Sequence, residues 1–195
     1  MLPPMPTSVL LFTILVAAVG ASRLVEMGLS RRHQRALAGL GAPLLPEPAF
    51  RAMVGLHTGI LLGAVIEVWA FNRPFRPMVA LPALALVGLA TGLRVWVIAT
   101  LGLHWNVRVV RSAGLGVITV GPYRWVRHPN YVAVFVELCA LPLVHGAIVT
   151  AAAGALLHTL VLRRRIALEE SVLMADDGYR RAFADKPRFV PWPMS

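Results

Sequence analysis

The chain has 195 residues, 57% of them apolar and 14% charged, with a mean hydropathy of +0.70 and a formal net charge of +10. A water-soluble domain carries about 25% charged residues, so this composition excludes one and indicates a polytopic membrane protein. Apart from Lys186 the positive charge is all arginine, which in a membrane chain reports topology rather than nucleic-acid binding, and Cys139 stands alone, leaving no intramolecular disulfide.

Five apolar runs follow in chain order. The first is Ser8 to Ser22, with no Lys or Arg before it, unlike the positive n-region of a signal peptide; it reads as a retained helix. The second is Met53 to Phe71, after a Pro-rich loop, "GAPLLPEPAF", and the third is Met78 to Leu101. The fourth, Tyr131 to Val144, and the fifth, Ala147 to Leu162, are joined by a tight "HGA". Both are short for the ~20 residues of a full span, which implies helices that continue past the bilayer or a tilted hairpin.

The expected fold is therefore all-α, with about five transmembrane helices and a C-terminal helical hairpin. Residues 1–101 would form three variable N-terminal helices and residues 102–195 a core. Basic residues concentrate in the first connection (Arg23, Arg31, Arg32, Arg35, Arg51), the third (Arg108, Arg111, Arg124, Arg127) and the tail. The positive-inside rule then places the N-terminus outside and the C-terminus in the cytoplasm of an inner or plasma membrane.

The stretch "GPYRWVRHPNYVAVFVELCALPL" puts the most polar residues of the chain against the start of the fourth run. Pro129 suits the first turn of a helix, where its missing N–H costs nothing. Arg127 and His128 then stand at a helix N-terminus, a ready site for a carboxylate or phosphate; interfacial anchoring on lipid phosphates is the plainer alternative. In "LRRRIALEESVL", Arg165 and Glu169 lie four apart on one helix face, with Glu170 adjacent. A tight hairpin brings these ends together, so cations and carboxylates converge on one membrane-side pocket suited to a zwitterion. Glu137, two helical turns into the fourth run, is expensive in lipid and functional by default: it reads as a base or as a partner of Arg94, for which Glu67 is the competing partner. The histidines show no i, i+4 pair, so no metal is expected, and His145 and His158 read as lying toward the far side. "GLGVITVG" lacks the strand and helix of a dinucleotide-binding unit.

"GPYRWVRHPNY", the hairpin, "RIALEESVL" and "GYRRAFADKPRFVPW" together resemble the isoprenylcysteine carboxyl methyltransferase family, its bacterial branch and the related phospholipid methyltransferases. The resemblance covers the chain from Thr100 onward. It implies S-adenosylmethionine as cofactor in a cytoplasmic cofactor pocket, met by Leu115, Gly116, Val117, Ile118, Tyr123, Arg127, His128, Pro129, Asn130, Tyr131, Glu169 and Glu170. Arg165 would stand at the boundary with the substrate in a catalytic role, and Glu137, by its place in the fourth run, is the other catalytic candidate. It implies O-methylation of a lipophilic small molecule within membrane lipids. An alkylresorcinol- or alkylpyrone-type phenolic lipid, linked to a type III polyketide synthase, is preferred over an isoprenylcysteine-like carboxylate. A nicotinamide-dependent membrane reductase on the related sterol-reductase core, and a non-enzymatic assembly factor, stay open beside it.

Overall fold

In the computed structural model, which describes residues 6–42, 44–47, 49–109 and 116–191, the regular elements are helices. They are α1 (Thr7–Gly39), α2 (Ala49–Ala70), α3 (Pro77–Leu101), α4 (Pro129–Leu143), α5 (Ile148–Leu173) and α6 (Asp177–Phe183). Short 3-10 turns at Gly102–His104 and Gly121–Arg124 lie in the long α3–α4 connection. By length and composition α1, α2 and α3 can each cross a membrane, whereas α4 is a shorter apolar helix.

The five apolar runs all become helices, but two extend well past their apolar part. Helix α1 does not stop at Ser22; it continues as far as Gly39, because nothing from Arg23 to Ala38 breaks a helix except the tolerable Gly28. Arg23, Arg31, Arg32 and Arg35 are thus helical rather than loop residues. Helix α5 likewise carries on through the arginines and glutamates to Leu173. Helix α4 starts at Pro129 with Pro at its first turn.

The two ends of the bundle are built differently. At one end Phe12 and Val16 of α1, Ala64 and Val68 of α2, Ala83 and Val87 of α3, and Ala140 and Leu141 of α4 form a packed core. There Glu67 of α2 accepts the backbone N–H groups of Val149 (3.2 Å) and Thr150 (2.7 Å) and the Thr150 hydroxyl, while Arg73 pairs with it at 2.8 Å. A carboxylate against the first turn of α5 satisfies orphan donors and the helix dipole together. Glu67 therefore lies at this end and is no partner of Arg94. His145 also lies here, 3.1 Å from Ser8 Oγ, on the far side as its sequence position indicates.

At the other end the helices splay, and the polar tips are tied by side chains. The Ser30 hydroxyl of α1 accepts from Val107 N–H (3.0 Å) and Gln34, and the His33 ring meets the Trp105 carbonyl at 2.7 Å. The helical extension of α1 thus holds the α3–α4 connection in place. Gly121, at φ +58°, sits where a Cβ would fall 2.6 Å from Thr100 Oγ1, so the turn into "PYR" passes hard against the end of α3. Only glycine takes that conformation and that approach without cost.

Candidate active site

Between the splayed ends runs one continuous cavity of about 1380 Å³, larger than the ~300–1,000 Å³ of most small-molecule pockets. Its polar end is lined by Tyr123, His128, Asn130, Tyr131, Arg165 and Glu169, and by Asp176 and Tyr179 from the tail. Its other end is walled by apolar residues of α1 and α2, among them Val16, Ala17, Leu61, Leu62 and Val65. Residues from both 1–101 and 102–195 line it.

Tyr131 is the hub of the polar end. Its hydroxyl donates to the Glu169 carboxylate and accepts from Arg165 Nε at 2.8 Å. The start of α4 and the middle of α5 are thereby joined by three side chains that the spacing R-H-P-N-Y and R-x-x-x-E places one helical turn apart. Arg165 has four of its five N–H donors engaged by the protein. Its Nη1 pairs with Glu47 Oε1 at 2.8 Å and lies 3.1 Å from Met53 Sδ, and its Nη2 donates to the Val107 carbonyl at 2.5 Å. Glu47 also accepts the Val109 N–H at 3.3 Å. Both ends of this ion pair are buried.

The two adjacent glutamates of α5 point to different tasks. Glu169 lines the cavity, whereas Glu170 does not. Glu170 accepts from Arg188 through both oxygens (3.0 and 2.6 Å), meets His128 Nε2 at 3.0 Å and lies 3.4 Å from Arg127. Burial works against its ionisation, but the Arg188 and His128 hydrogen bonds and the Arg127 charge outweigh that and hold the carboxyl down to about 2. The same tail supplies backbone partners: Arg127 N–H donates to the Pro187 carbonyl and His128 N–H to the Arg188 carbonyl, each at 2.9 Å. The α4 N-terminus, expected to be open to an anion, is thus partly occupied by the chain's own tail.

Some polar groups of the cavity wall remain unspent. Asn130 Oδ1 is buried with no hydrogen-bond partner among the described residues, and its residue lines the cavity. Tyr123 and Tyr179 are pushed well above the ordinary phenol value, by burial first and then by the Glu169 charge, so both remain neutral donors. At the entrance of α6, Asp176 Oδ1 accepts the Tyr179 N–H at 2.8 Å, and Gly178 packs so closely that a Cβ would lie 3.1 Å from that oxygen and 3.5 Å from Val117.

Of the residues singled out in the sequence, Gly116, Val117, Ile118, Tyr123, Arg127, His128, Asn130, Tyr131, Arg165 and Glu169 all line the one cavity. Leu115 lies outside the described residues. Pro129 and Glu170 stand behind it, one starting the helix and the other pinning the tail. Glu137 is not in the main cavity and is not paired with Arg94. Arg94 instead binds both oxygens of Glu26, and Arg23 bridges Glu26 to Glu137, at 2.8 Å on each side. The reason is the length of α1, which carries Arg23 and Glu26 past α3 and α4 at membrane depth. Charges buried there are paired with one another. His158 also departs from its expected place: it lines the cavity, facing His57 at 5.2 Å between ring centroids.

The sequence reading missed Glu47, Asp176 and Tyr179. A signal existed for Glu47, a lone acid between two prolines in an otherwise apolar linker, at the end of the bundle where the arginines gather.

Residues 83–175 match the model of the isoprenylcysteine carboxyl methyltransferase (ICMT) family. The chain is similar to that family over this stretch, which is just under half its length. An uncharacterized protein of Bacillus subtilis, YpbQ, is 28% identical over 164 residues, which is 84% of this chain and 96% of that one. An uncharacterized protein of Haemophilus influenzae is 28% identical over 165 residues, 84% of this chain and 95% of that one. Among solved structures, the eukaryotic intramembrane Ras methyltransferase ICMT superposes with a TM-score of 0.57 at 22% identity, over 76% of this chain and 54% of that one. That likeness is one of fold, and this chain spans about half the length of the eukaryotic enzyme. With three helices long and apolar enough to cross a membrane, the chain is an integral membrane protein.

Proposed function

We propose that this ICMT-like protein is an S-adenosylmethionine-dependent O-methyltransferase acting on a lipophilic acceptor. The observation that carries the reading is the single cavity that joins a compartment of tyrosines, carboxylates and cations to an apolar chamber among the helices. One molecule with a zwitterionic head and one with an apolar tail can share it. The family match favours methyl transfer over the reductase and assembly-factor readings.

The residues present suit such a cofactor. When bound, it would supply an electrophilic methyl group on a sulfonium centre. Glu169 and Asp176 offer negative charge to an ammonium, and Arg127, beside His128, offers positive charge to a carboxylate. The unpartnered Asn130 Oδ1 accepts an amine donor, and the rings of Tyr123, Tyr131 and Tyr179 face a cation or an adenine. Gly116, Val117 and Ile118 of the α3–α4 connection line the same cavity. Methyl transfer between bound partners is an in-line displacement, so positioning supplies much of the rate. Arg165, engaged by Glu47, Tyr131 and Val107, fixes the boundary between the two compartments. Glu137, engaged by Arg23, supports the wall from behind.

For the acceptor, a phenolic lipid of alkylresorcinol or alkylpyrone type, made by a type III polyketide synthase, is the preferred class. An isoprenylcysteine-like carboxylate is the second. Purified protein in nanodiscs should bind S-adenosylmethionine in calorimetry and pass its labelled methyl group to an organic-soluble lipid fraction. Binding of NADPH with none of S-adenosylmethionine would overturn the reading.

We further propose five spans, with α4 and α5 as a tilted hairpin, and the cavity's polar end in the cytoplasm. Helix α4, with 15 residues, is about 22 Å long against a ~30 Å hydrocarbon core. In a Cys139→Ser background, a thiol at Asp185→Cys should label only from the cytoplasmic side and one at Asn72→Cys only from outside. Labelling of both from one side would remove one span.

A further inference from the structure

Five guanidiniums line the cavity, those of Arg23, Arg94, Arg108, Arg127 and Arg165. Four are matched by carboxylates. Arg94 and Arg23 share Glu26 and Glu137, Arg127 lies against Glu170, and Arg165 pairs with Glu47. Arg108 has no hydrogen bond or ion pair among the described residues, and its Nε is buried without a partner. The residue as a whole is only half-buried, so the rest of its guanidinium stays open. What holds it is a ring: its guanidinium carbon stands over the face of Phe50, 5.3 Å from the ring centre. Stacking uses the face of the planar group and leaves its in-plane N–H donors unspent. A cation fixed in a cavity wall with its donors open is a seat for an oxyanion.

Arg108 is set apart from the polar end of the cavity. Arg165 Nε points to Tyr131, while its Nη1 and Nη2 point to Glu47 and the Val107 carbonyl. Arg108, next to Val107 and stacked on α2, therefore lies across the Arg165 guanidinium from Tyr131 and Glu169. From Phe50 one face of α2 runs down through Val54, His57, Leu61 and Val65, all of which line the cavity. That face is about 22 Å long, so a head group at Arg108 can lay a long alkyl tail along it.

From this arrangement we infer that Arg108, stacked on Phe50, anchors the reacting oxygen of the acceptor in its anionic form. The inference rests on the reading of the cavity as a methyltransferase site. It concerns the residue that holds the acceptor, since a phenolate and a carboxylate present the same anionic oxygen. A phenol has a pKa of about 10, and an opposite charge within ~4–6 Å favours its ionised form. The other charges of the cavity do not compete: Glu169 and Asp176 stand at the polar end, Asp177 pairs with Arg180, and the remainder cancel in the pairs already given. Methyl transfer forms the O–C bond from an oxygen lone pair while the S–C pair stays on sulfur. The acceptor oxygen thereby becomes neutral, and Arg108 no longer holds it.

The test is a titration of nanodisc-embedded protein without cofactor. The probe is 2-dodecyl-4-nitrophenol, whose anion is yellow, and its methyl ether is the uncharged control. Arg108→Gln should raise the pKa of the bound probe by about one unit or more, a tenfold change in its ionisation. Arg108→Lys should keep part of the stabilisation, since it retains the charge without the planar fork. The methyl ether should bind the wild type and both variants alike, which a merely structural role for Arg108 would not allow. The wild type should bind the phenolate roughly tenfold or more tightly than the ether, a comparison that needs no variant to fold. Equal affinity for the two, or an unchanged probe pKa in Arg108→Gln, would overturn the inference. So would a loss of S-adenosylmethionine affinity in Arg108→Gln with the probe unaffected, which would give Arg108 to the cofactor's carboxylate. Wild-type binding of S-adenosylmethionine judges the methyltransferase reading separately, and the titration decides the anchor whichever way that falls.

Discussion

Glu47→Ala should be among the most damaging single substitutions in this protein. It leaves the Arg165 guanidinium buried without its counter-charge and frees the Val109 N–H in the same step. Removing one partner of a buried ion pair costs about 3–5 kcal/mol, because the remaining charge is left unpaired in a low-dielectric site. The expected result is a large fall in the thermal midpoint of the detergent-solubilised protein, with loss of turnover. Arg165→Met should be damaging too, since it strands Glu47 and removes a donor from Tyr131. The double variant Glu47→Leu with Arg165→Met should be more stable than Glu47→Ala alone, because an apolar pair replaces a half-broken one. Strict additivity of the two single losses in a double-mutant cycle would show that the pair does not act as a unit.

Glu169→Ala and Glu170→Ala, one residue apart, should fail in different ways. Glu169 faces the cavity and is held by Tyr131, so its removal should weaken S-adenosylmethionine binding by about 2–5 kcal/mol, the scale for a desolvated charge partner, with little change in thermal stability. Glu170 lies outside the cavity and gathers Arg127, His128 and Arg188. Its removal should release the tail from the start of α4, which a protease cutting after Arg188 would report as faster cleavage. Calorimetry and limited proteolysis on the same two variants separate these outcomes. Wild-type cofactor affinity in Glu169→Ala would remove Glu169 from the site, and unchanged cleavage in Glu170→Ala would mean that the Pro187 and Arg188 backbone bonds hold the tail unaided.

Much of the site was legible because local spacing in a helix fixes which side chains share a face. The proline of "RHPNY" starts α4, Tyr131 follows within its first turn, and Arg165 and Glu169 lie one turn apart on α5, so a tight hairpin leaves them few other places to meet. The apolar runs likewise specify helices whatever their neighbours. Helix ends were less legible where no breaker occurs: the runs at Ser22 and Leu162 stop being apolar, but the backbone has no reason to stop being helical, and α1 and α5 continue. That continuation changed the charge partners. With α1 longer than its apolar run, Arg23 and Glu26 reach α3 and α4, and Arg94 and Glu137 are taken by them rather than by each other. Sequence separation gives no information about such pairs, since Glu137 lies 114 residues from Arg23 and Glu47 lies 118 from Arg165. Nor does it say which of two adjacent glutamates faces a cavity, because residues one apart on a helix point about 100° apart and only the packing of neighbouring helices decides which direction is inside. Composition and periodicity by themselves determined a helical membrane protein with its polar chemistry gathered at one end; the tertiary structure alone decided which buried charges cancel and which polar groups line the cavity, because both depend on how separate helices pack.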